Sequence, residues 1–122
     1  MRCMHSSVVR AVRAISSGSF ILSFSRPPLS FRAGQHVFLS LPGYAVERAY
    51  SLYSAESEPE WRVLIREIPG GALTPALRHC RPGDRLLVSP PFGDFTLPRE
   101  AASKSECLFL ATGTGIAPFH SM

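Results

Sequence analysis

Short apolar runs recur along the chain, and proline, glycine or charged residues close each of them. The runs that predict strands cover residues 20–24, 37–41, 50–53, 62–68 and 86–88. An acidic loop, 56–60, separates the third run from the fourth. Strands at this spacing, with turn signals between them, predict a small antiparallel barrel or sandwich.

The first apolar segment, 8–15, fits two structures. Its valines, alanine and isoleucine form a helical stripe with Arg10 and Arg13 opposite, and no acidic residue precedes Glu47. That pattern resembles a mitochondrial transit peptide. The same β-branched residues also suit a first strand, with 16–18 as the turn to the next one. Periodicity alone leaves both interpretations open.

One helix is predicted between the fourth and fifth runs of this list. Thr74 is a good N-cap, Pro75 suits the first helical position, and Leu77 offers an apolar contact. Proline and glycine at 82–83 should end this helix after about two turns. The glycines at 70–71 would let an anion approach its N-terminus closely.

The last segment combines an apolar run with a glycine turn. A predicted strand, Cys107–Ala111, leads into Gly113-Thr114-Gly115 and a helix opened by Pro118. This arrangement suits a dinucleotide pyrophosphate held on backbone N–H groups. The sequence ends at Met122, about one turn into that helix, and an isolated helix needs ~12 residues or a packed face. We therefore expect a piece of a longer protein, with this helix poorly fixed.

The amino-acid composition limits the classes of ligand that the chain is expected to bind. The 122 residues are 45% hydrophobic and carry a net charge of +4, with twelve arginines and one lysine. Arginine is the bidentate partner of phosphate, so the bias fits an anionic ligand, and equally a general compositional preference. A basic barrel can also bind nucleic acid through exposed aromatics. The aromatic residues here lie mostly within predicted strands, so we predict no nucleic-acid partner.

The cysteines and the hydropathy pattern predict no metal site and no membrane span. Cys3, Cys80 and Cys107 are far apart and odd in number, without zinc or iron–sulfur spacing. His79 precedes Cys80, but adjacent residues rarely converge on one ion. No apolar run reaches the ~18 residues of a transmembrane helix. A reducing cytoplasmic location is the simplest fit to unpaired cysteines.

The segment Arg48-Ala-Tyr-Ser51 carries the clearest chemistry. On a strand, Arg48 and Tyr50 point to one face, which places a guanidinium beside an aromatic ring. A phosphate attached to a flat heteroaromatic ring would use both groups. Ser51 points the other way under strict alternation. The alternative is a core tyrosine next to an exposed arginine.

Several motifs in order resemble the bacterial ferredoxin–NADP reductase family of flavoproteins. Arg48-Ala-Tyr-Ser51 resembles its flavin motif, and Ile68-Pro-Gly-Gly-Ala-Leu-Thr74 its second flavin segment. Thr112-Gly-Thr-Gly-Ile-Ala-Pro118 is similar to the start of its NADP pyrophosphate site. The turns at 33–35, 82–84 and 91–93 also match, so the resemblance covers residues 8–122.

This resemblance implies a mainly β fold. It implies a six-stranded antiparallel Greek-key barrel with one short helix, followed by the first strand and turn of an α/β nucleotide-binding domain. It makes 8–15 the first strand of the barrel. Residues 1–100 would form the FAD-binding barrel domain, and 101–122 a linker and the truncated start of an NAD(P)-binding domain.

The resemblance also implies the cofactors and their contacts. Tyr50 would stack on the isoalloxazine of FAD, Arg48 would bind the pyrophosphate, and Ser51 would lie near the flavin N5. Tyr50 and Ser51 are thus the implied catalytic residues. The implied contacts to the ring edge are the backbone of Ile65, Arg66 and Glu67; those to the FAD pyrophosphate are Gly71, Ala72, Leu73 and Thr74; those to NADP or NAD are Thr112, Gly113, Thr114 and Gly115.

In that family, NADPH gives a hydride to FAD, which passes single electrons to ferredoxin or flavodoxin. The expected function is therefore NAD(P)H-dependent electron transfer through FAD. A non-catalytic flavin-binding barrel and the reductase component of an oxygenase are the alternatives. The sequence leaves open the choice between NADPH and NADH and the choice between FAD and FMN.

Overall fold

A six-stranded antiparallel sheet dominates the computed structural model, which describes residues 3–97 and 108–122. Across the sheet the strands follow the order β4-β3-β6-β1-β2-β5, and all paired neighbours are antiparallel. The mainly β prediction is confirmed. The strands are β1 His5–Ala14, β2 Ser19–Ser25, β3 His36–Ser40, β4 Arg48–Ser51, β5 Glu60–Arg66 and β6 Arg85–Val88.

The N-terminal segment is a strand, so the helical interpretation of it is wrong. The first half of β1 pairs with β6, and the second half pairs with β2. The register shifts between Val9 and Ala11, where β1 passes from one partner to the other. Each half of β1 thus pairs with one neighbouring strand, and these ladder bonds replace the bonds that a helix would make internally. This pairing also explains why the strand begins at His5, three residues before the predicted start.

Most other strand boundaries differ from the prediction by one or two residues, and two of these differences follow from local contacts. β4 begins at Arg48 rather than at residue 50, because Arg48 pairs with Leu39 of β3. β5 ends at Arg66 rather than at Ile68, because the Ile68 N–H donates to the hydroxyl of Thr74 at 2.7 Å. That bond turns the chain away from the sheet.

The core fills the interior of the curled sheet. Trp61 is fully buried there, with the rings of Phe24 and Phe31 packed edge-on against it at 6.4 and 5.2 Å. Its indole N–H has no acceptor among the described residues. Leu73 and Leu77 close one end of this core.

The predicted short helix is present as α1, Thr74–Arg78, but its N-cap prediction is wrong. Leu73 occupies the cap position without a side-chain bond, and Thr74 is the first helical residue. The Thr74 hydroxyl serves the Ile68 N–H instead. The helix also has five residues, little more than one turn, rather than the expected two turns.

The C-terminal segment forms a 3₁₀ turn, Gly113–Ile116, and a second helix, α2, Ala117–Ser121. The strand predicted at 107–111 is wrong for residues 108–111, which form no strand. None of the described strands lies beside them to pair their backbone, and Leu108 and Leu110 are 85% and 80% exposed. Cys107 and residues 101–106, at the start of the expected linker segment, lie outside the described residues.

Candidate functional site

The barrel is not closed by a continuous ladder, and the gap lies between its edge strands. A single bridge, Leu52 to Val63, joins the chain after β4 to β5. Beside it, the Tyr53 N–H donates to the Arg62 carbonyl oxygen at 2.7 Å. No further bridge between these two strands follows in the described part of the chain. We call this partly unpaired line, from the bridge toward Arg48, the seam.

A cavity of about 360 Å³ lies at the seam. Its walls come from β4, from β5, from the loop that leads into α1, and from the C-terminal glycine turn. The lining residues are Arg48, Ala49, Tyr50, Leu64, Arg66, Ile68, Gly71, Ala72, Leu73, Thr74 and Thr114.

Most of the residues predicted to bind cofactors meet in this cavity. Those present are Arg48, Tyr50, Arg66, Gly71, Ala72, Leu73, Thr74 and Thr114. Those that do not line it are Ser51, Ile65, Glu67, Thr112, Gly113 and Gly115. The structure adds Ala49 and Leu64, which no motif in the sequence indicated as contacts. It also adds Ile68, the first residue of the predicted second flavin segment, which is 54% exposed just past the end of β5.

The β5 backbone explains which groups face the cavity. The Glu67 N–H donates to the Gly18 carbonyl at 2.8 Å, on the side of β2. The Arg62 carbonyl faces the seam. Backbone groups of successive strand residues point to opposite edges, so Leu64 and Arg66 share the direction of Arg62. The β5 donors and acceptors available to a ligand therefore belong to Leu64 and Arg66.

The loop from Ile68 to Thr74 is closed by its own hydrogen bonds. The Gly71 N–H donates to the Ile68 carbonyl at 2.8 Å, and the Thr74 hydroxyl accepts from the Ile68 N–H. A Cβ at Gly71 would lie 2.8 Å from that carbonyl oxygen, and Gly70 has φ +71°. Both positions therefore require glycine, which holds this backbone close to the cavity.

The cavity is positive and partly apolar. Arg48 and Arg66 are exposed at its rim, and no acidic side chain belongs to its described lining. The Arg48 guanidinium donates to the Glu47 carbonyl at 2.9 Å. Burial raises the pKa of Tyr50 above its ordinary value, and the nearby charge of Arg48 partly offsets this. The Tyr50 phenol is therefore protonated and neutral near neutral pH.

The side chains of His79 and Cys80, at the end of α1, are engaged with backbone carbonyl groups of that helix. The His79 Nδ1 lies 2.8 Å from the Pro75 carbonyl, and the Cys80 thiol donates to the Ala76 carbonyl at 3.5 Å. Burial, then the charge of Asp84, raises the pKa of the Cys80 thiol. Within residues 3–97 and 108–122, no three potential ligands cluster where a metal ion could bind. The helices of this described portion are all too short to cross a bilayer.

The glycine turn reaches the cavity because α2 packs on the barrel. Ala117 is 2% exposed and packs against Ile21 and Leu64. We expected this short helix to be poorly fixed, and that expectation is wrong. The packed face that a short helix needs comes from β2 and β5.

The model of the oxidoreductase FAD-binding domain family matches residues 6–97. The chain belongs to this family. It is 41% identical, over 92% of its length, to ferredoxin–NADP reductase B of Sorangium cellulosum, and covers 48% of that protein. It is 38% identical, over 97% of its length, to the toluate 1,2-dioxygenase electron transfer component of Pseudomonas putida, and covers 35% of it. The chain thus spans less than half the length of these curated relatives.

A solved structure supports the same fold for this family member. The crystal structure of a ferredoxin NADP⁺ reductase from Neisseria gonorrhoeae with bound FAD and NADP superimposes with a TM-score of 0.87 at 27% identity. The match covers 97% of this chain and 49% of that protein.

Proposed function

We propose that this chain binds FAD in the seam cavity. It would form the flavin-binding part of an NAD(P)H-dependent oxidoreductase most like ferredoxin–NADP reductase. The observation that carries the proposal is the convergence, in one cavity, of Arg48, Tyr50 and the Gly71 loop. Membership of the FAD-binding domain family supports it.

The residues of the cavity suit the chemistry of FAD. A pyrophosphate needs cationic and N–H donors, which Arg48, Arg66 and the backbone at 72–73 would offer. A flat heteroaromatic ring needs an aromatic face, which Tyr50 offers. Ser51 follows Tyr50 on β4 but does not line the cavity, and its place beside the reactive edge of that ring rests on the family resemblance. When bound, FAD takes up a hydride and gives up electrons one at a time, while the protein positions it.

The C-terminal turn is the proposed beginning of the nicotinamide site. Residues 1–100 would form the flavin domain, and 101–122 the linker and start of the dinucleotide domain. Thr112, Gly113, Thr114 and Gly115 would contact the pyrophosphate of NADP or NAD. The 3₁₀ turn over Gly113–Ile116, which contains no buried residue, supports this assignment.

We propose an electron-carrier protein as the partner, ferredoxin or flavodoxin in particular, because such reductases are among the similar proteins. An oxygenase reductase component is the second candidate, which the similarity to the toluate dioxygenase component favours. A cytoplasmic location is also proposed, since Cys3 and Cys80 are free thiols.

Titration with FAD, followed by flavin fluorescence and calorimetry, tests the site. We expect one FAD per chain and several-fold weaker binding in Arg66→Ala, which removes a guanidinium from the rim. Arg13→Ala is the matched control, because Arg13 is exposed on β1 and does not line the cavity. Absence of FAD binding, or equal weakening by both substitutions, would overturn the proposed site.

A further inference from the structure

His120 fastens α2 to the residue that follows the bridge of the seam. Its ring stacks on the Tyr53 ring, with centroids 3.7 Å apart and planes 4° from parallel. Its Nδ1 lies 2.7 Å from the Tyr53 carbonyl oxygen. One side chain thus holds both the ring and the backbone of Tyr53.

Tyr53 offers a fixed platform for this contact. The Arg62 guanidinium lies 5.4 Å from the centroid of the same ring. Glu58 holds that guanidinium through two hydrogen bonds of 2.9 and 2.7 Å. The Tyr53 ring is therefore restrained by β5 and by the loop before it, independently of α2.

A second hydrogen bond holds α2 on the barrel, and we call the contacts of α2 with Tyr53, Ser54 and Leu64 the dock. The Ser121 hydroxyl donates to the Ser54 carbonyl at 2.6 Å, in a buried position. Ala117 packs against Leu64, which also lines the cavity. The dock and the cavity consequently share one wall of the barrel.

A helix of five residues has no stability of its own, because isolated helices below ~12 residues are marginal in water. Its position therefore depends on these side chains. Thr114 lies three residues before α2, and the Gly115 N–H donates back to the Thr112 carbonyl at 3.0 Å. Movement of α2 would carry the whole turn with it.

We propose that His120 is a positioning residue that holds the glycine turn, 112–115, over the flavin cavity by clamping α2 to Tyr53. The identity of the ligand in that cavity rests on the proposed function. The clamp itself belongs to the chain without ligand.

Amide hydrogen exchange, measured by NMR on the chain without flavin, tests the clamp. The reporters are the amides of Met122, bonded to the Pro118 carbonyl, and Gly115. His120→Ala should speed their exchange about tenfold, from the loss of one net hydrogen bond and one ring pair. His120→Phe keeps the ring stack, so its exchange rates should lie between those of the unaltered chain and those of His120→Ala.

His79→Ala is the matched control. It removes a histidine whose Nδ1 makes the same kind of bond, 2.8 Å to the Pro75 carbonyl, on α1. It should leave both reporter amides unchanged. Unchanged exchange in His120→Ala, or an equal rise throughout β5, would overturn the clamp.

Addition of FAD separates the two proposals. In the unaltered chain and in His79→Ala, FAD should slow the exchange of Gly115 further, and in His120→Ala it should do so less. If FAD does not bind, the proposed function fails while the flavin-free comparison still decides the clamp. If FAD binds without protecting Gly115, the turn does not lie over the flavin, and this inference fails alone.

Discussion

Replacement of Arg48 by alanine should weaken FAD binding more than FMN binding. Arg48 is exposed at the start of β4 and donates to the neutral Glu47 carbonyl at 2.9 Å. Ligand binding would exchange that bond for a bond to a charged pyrophosphate. A hydrogen bond to a charged group contributes ~1.5–3 kcal/mol, and the exposure of Arg48 favours the lower value. About 1.5 kcal/mol corresponds to about tenfold weaker FAD binding.

The assay compares FAD and FMN titrations, followed by calorimetry, for the unaltered chain and Arg48→Ala. FMN lacks the pyrophosphate, so its affinity should fall by a smaller factor. Arg48→Lys keeps the charge but loses the planar fork, and should recover part of the FAD affinity. Arg32→Ala serves as the control, because Arg32 is exposed and lies outside the cavity lining. Equal losses for the two flavins would refute the assignment of Arg48 to the pyrophosphate.

Three further outcomes follow from the site and its loop. Tyr50→Ala should weaken the binding of FAD and of FMN equally, by ~0.5–1.5 kcal/mol for a lost ring stack. Tyr44→Ala is the control, at a residue that is 47% exposed, and should leave both affinities unchanged. A loss of affinity for one flavin alone would contradict stacking. Gly71→Ala should lower the free energy of unfolding by ~1–3 kcal/mol, measured by urea denaturation, because its Cβ would meet a carbonyl oxygen at 2.8 Å. Gly18→Ala has open space for its Cβ and should change little, so equal effects would refute the steric argument. The raised pKa of Tyr50 means that its contribution to stability is complete below the unfolded-state pKa and is lost as pH rises through the folded-state pKa. In Arg48→Ala that pKa should rise further, and tyrosinate absorbance that titrates at the same pH in both proteins would exclude the predicted coupling.

Local patterns predicted the strands well because alternation and turn residues act over a few positions. The apolar runs at 20–24 and 37–41 lie almost wholly within β2 and β3. Arg48 and Tyr50 were also predicted to share one face, and both line the cavity. Strand periodicity is a local property, so it can be read without knowledge of the fold.

The hydrogen-bonding partner of a side chain, or the neighbour of a strand, could not be predicted in the same way. The Thr74 hydroxyl is suited to capping α1, but the closed loop brings the Ile68 N–H within 2.7 Å of it. The apolar run at 108–111 has a strand-like composition, but strand formation needs a neighbour to pair with. Both outcomes depend on which groups the fold places nearby.

The contacts that hold α2 on the barrel could not be predicted from the sequence for a related reason. His120 and Tyr53 are 67 residues apart, and neither belongs to a motif that suggests contact. Length alone indicated an unsupported helix. The supporting surface lay on a different part of the chain, which no local pattern reports.

The seam has a consequence for the lifetime of the protein. Between β4 and β5, a bound molecule would substitute for a missing stretch of barrel wall rather than rest on a finished surface. A molecule that binds only the folded chain stabilises it by ~2.7 kcal/mol at a hundredfold excess over Kd. Without that occupant, the unpaired edges of β4 and β5 are open to pairing with other chains. If the proposed function holds, the supply of FAD would thus set how much of this polypeptide stays folded rather than pairing with other chains.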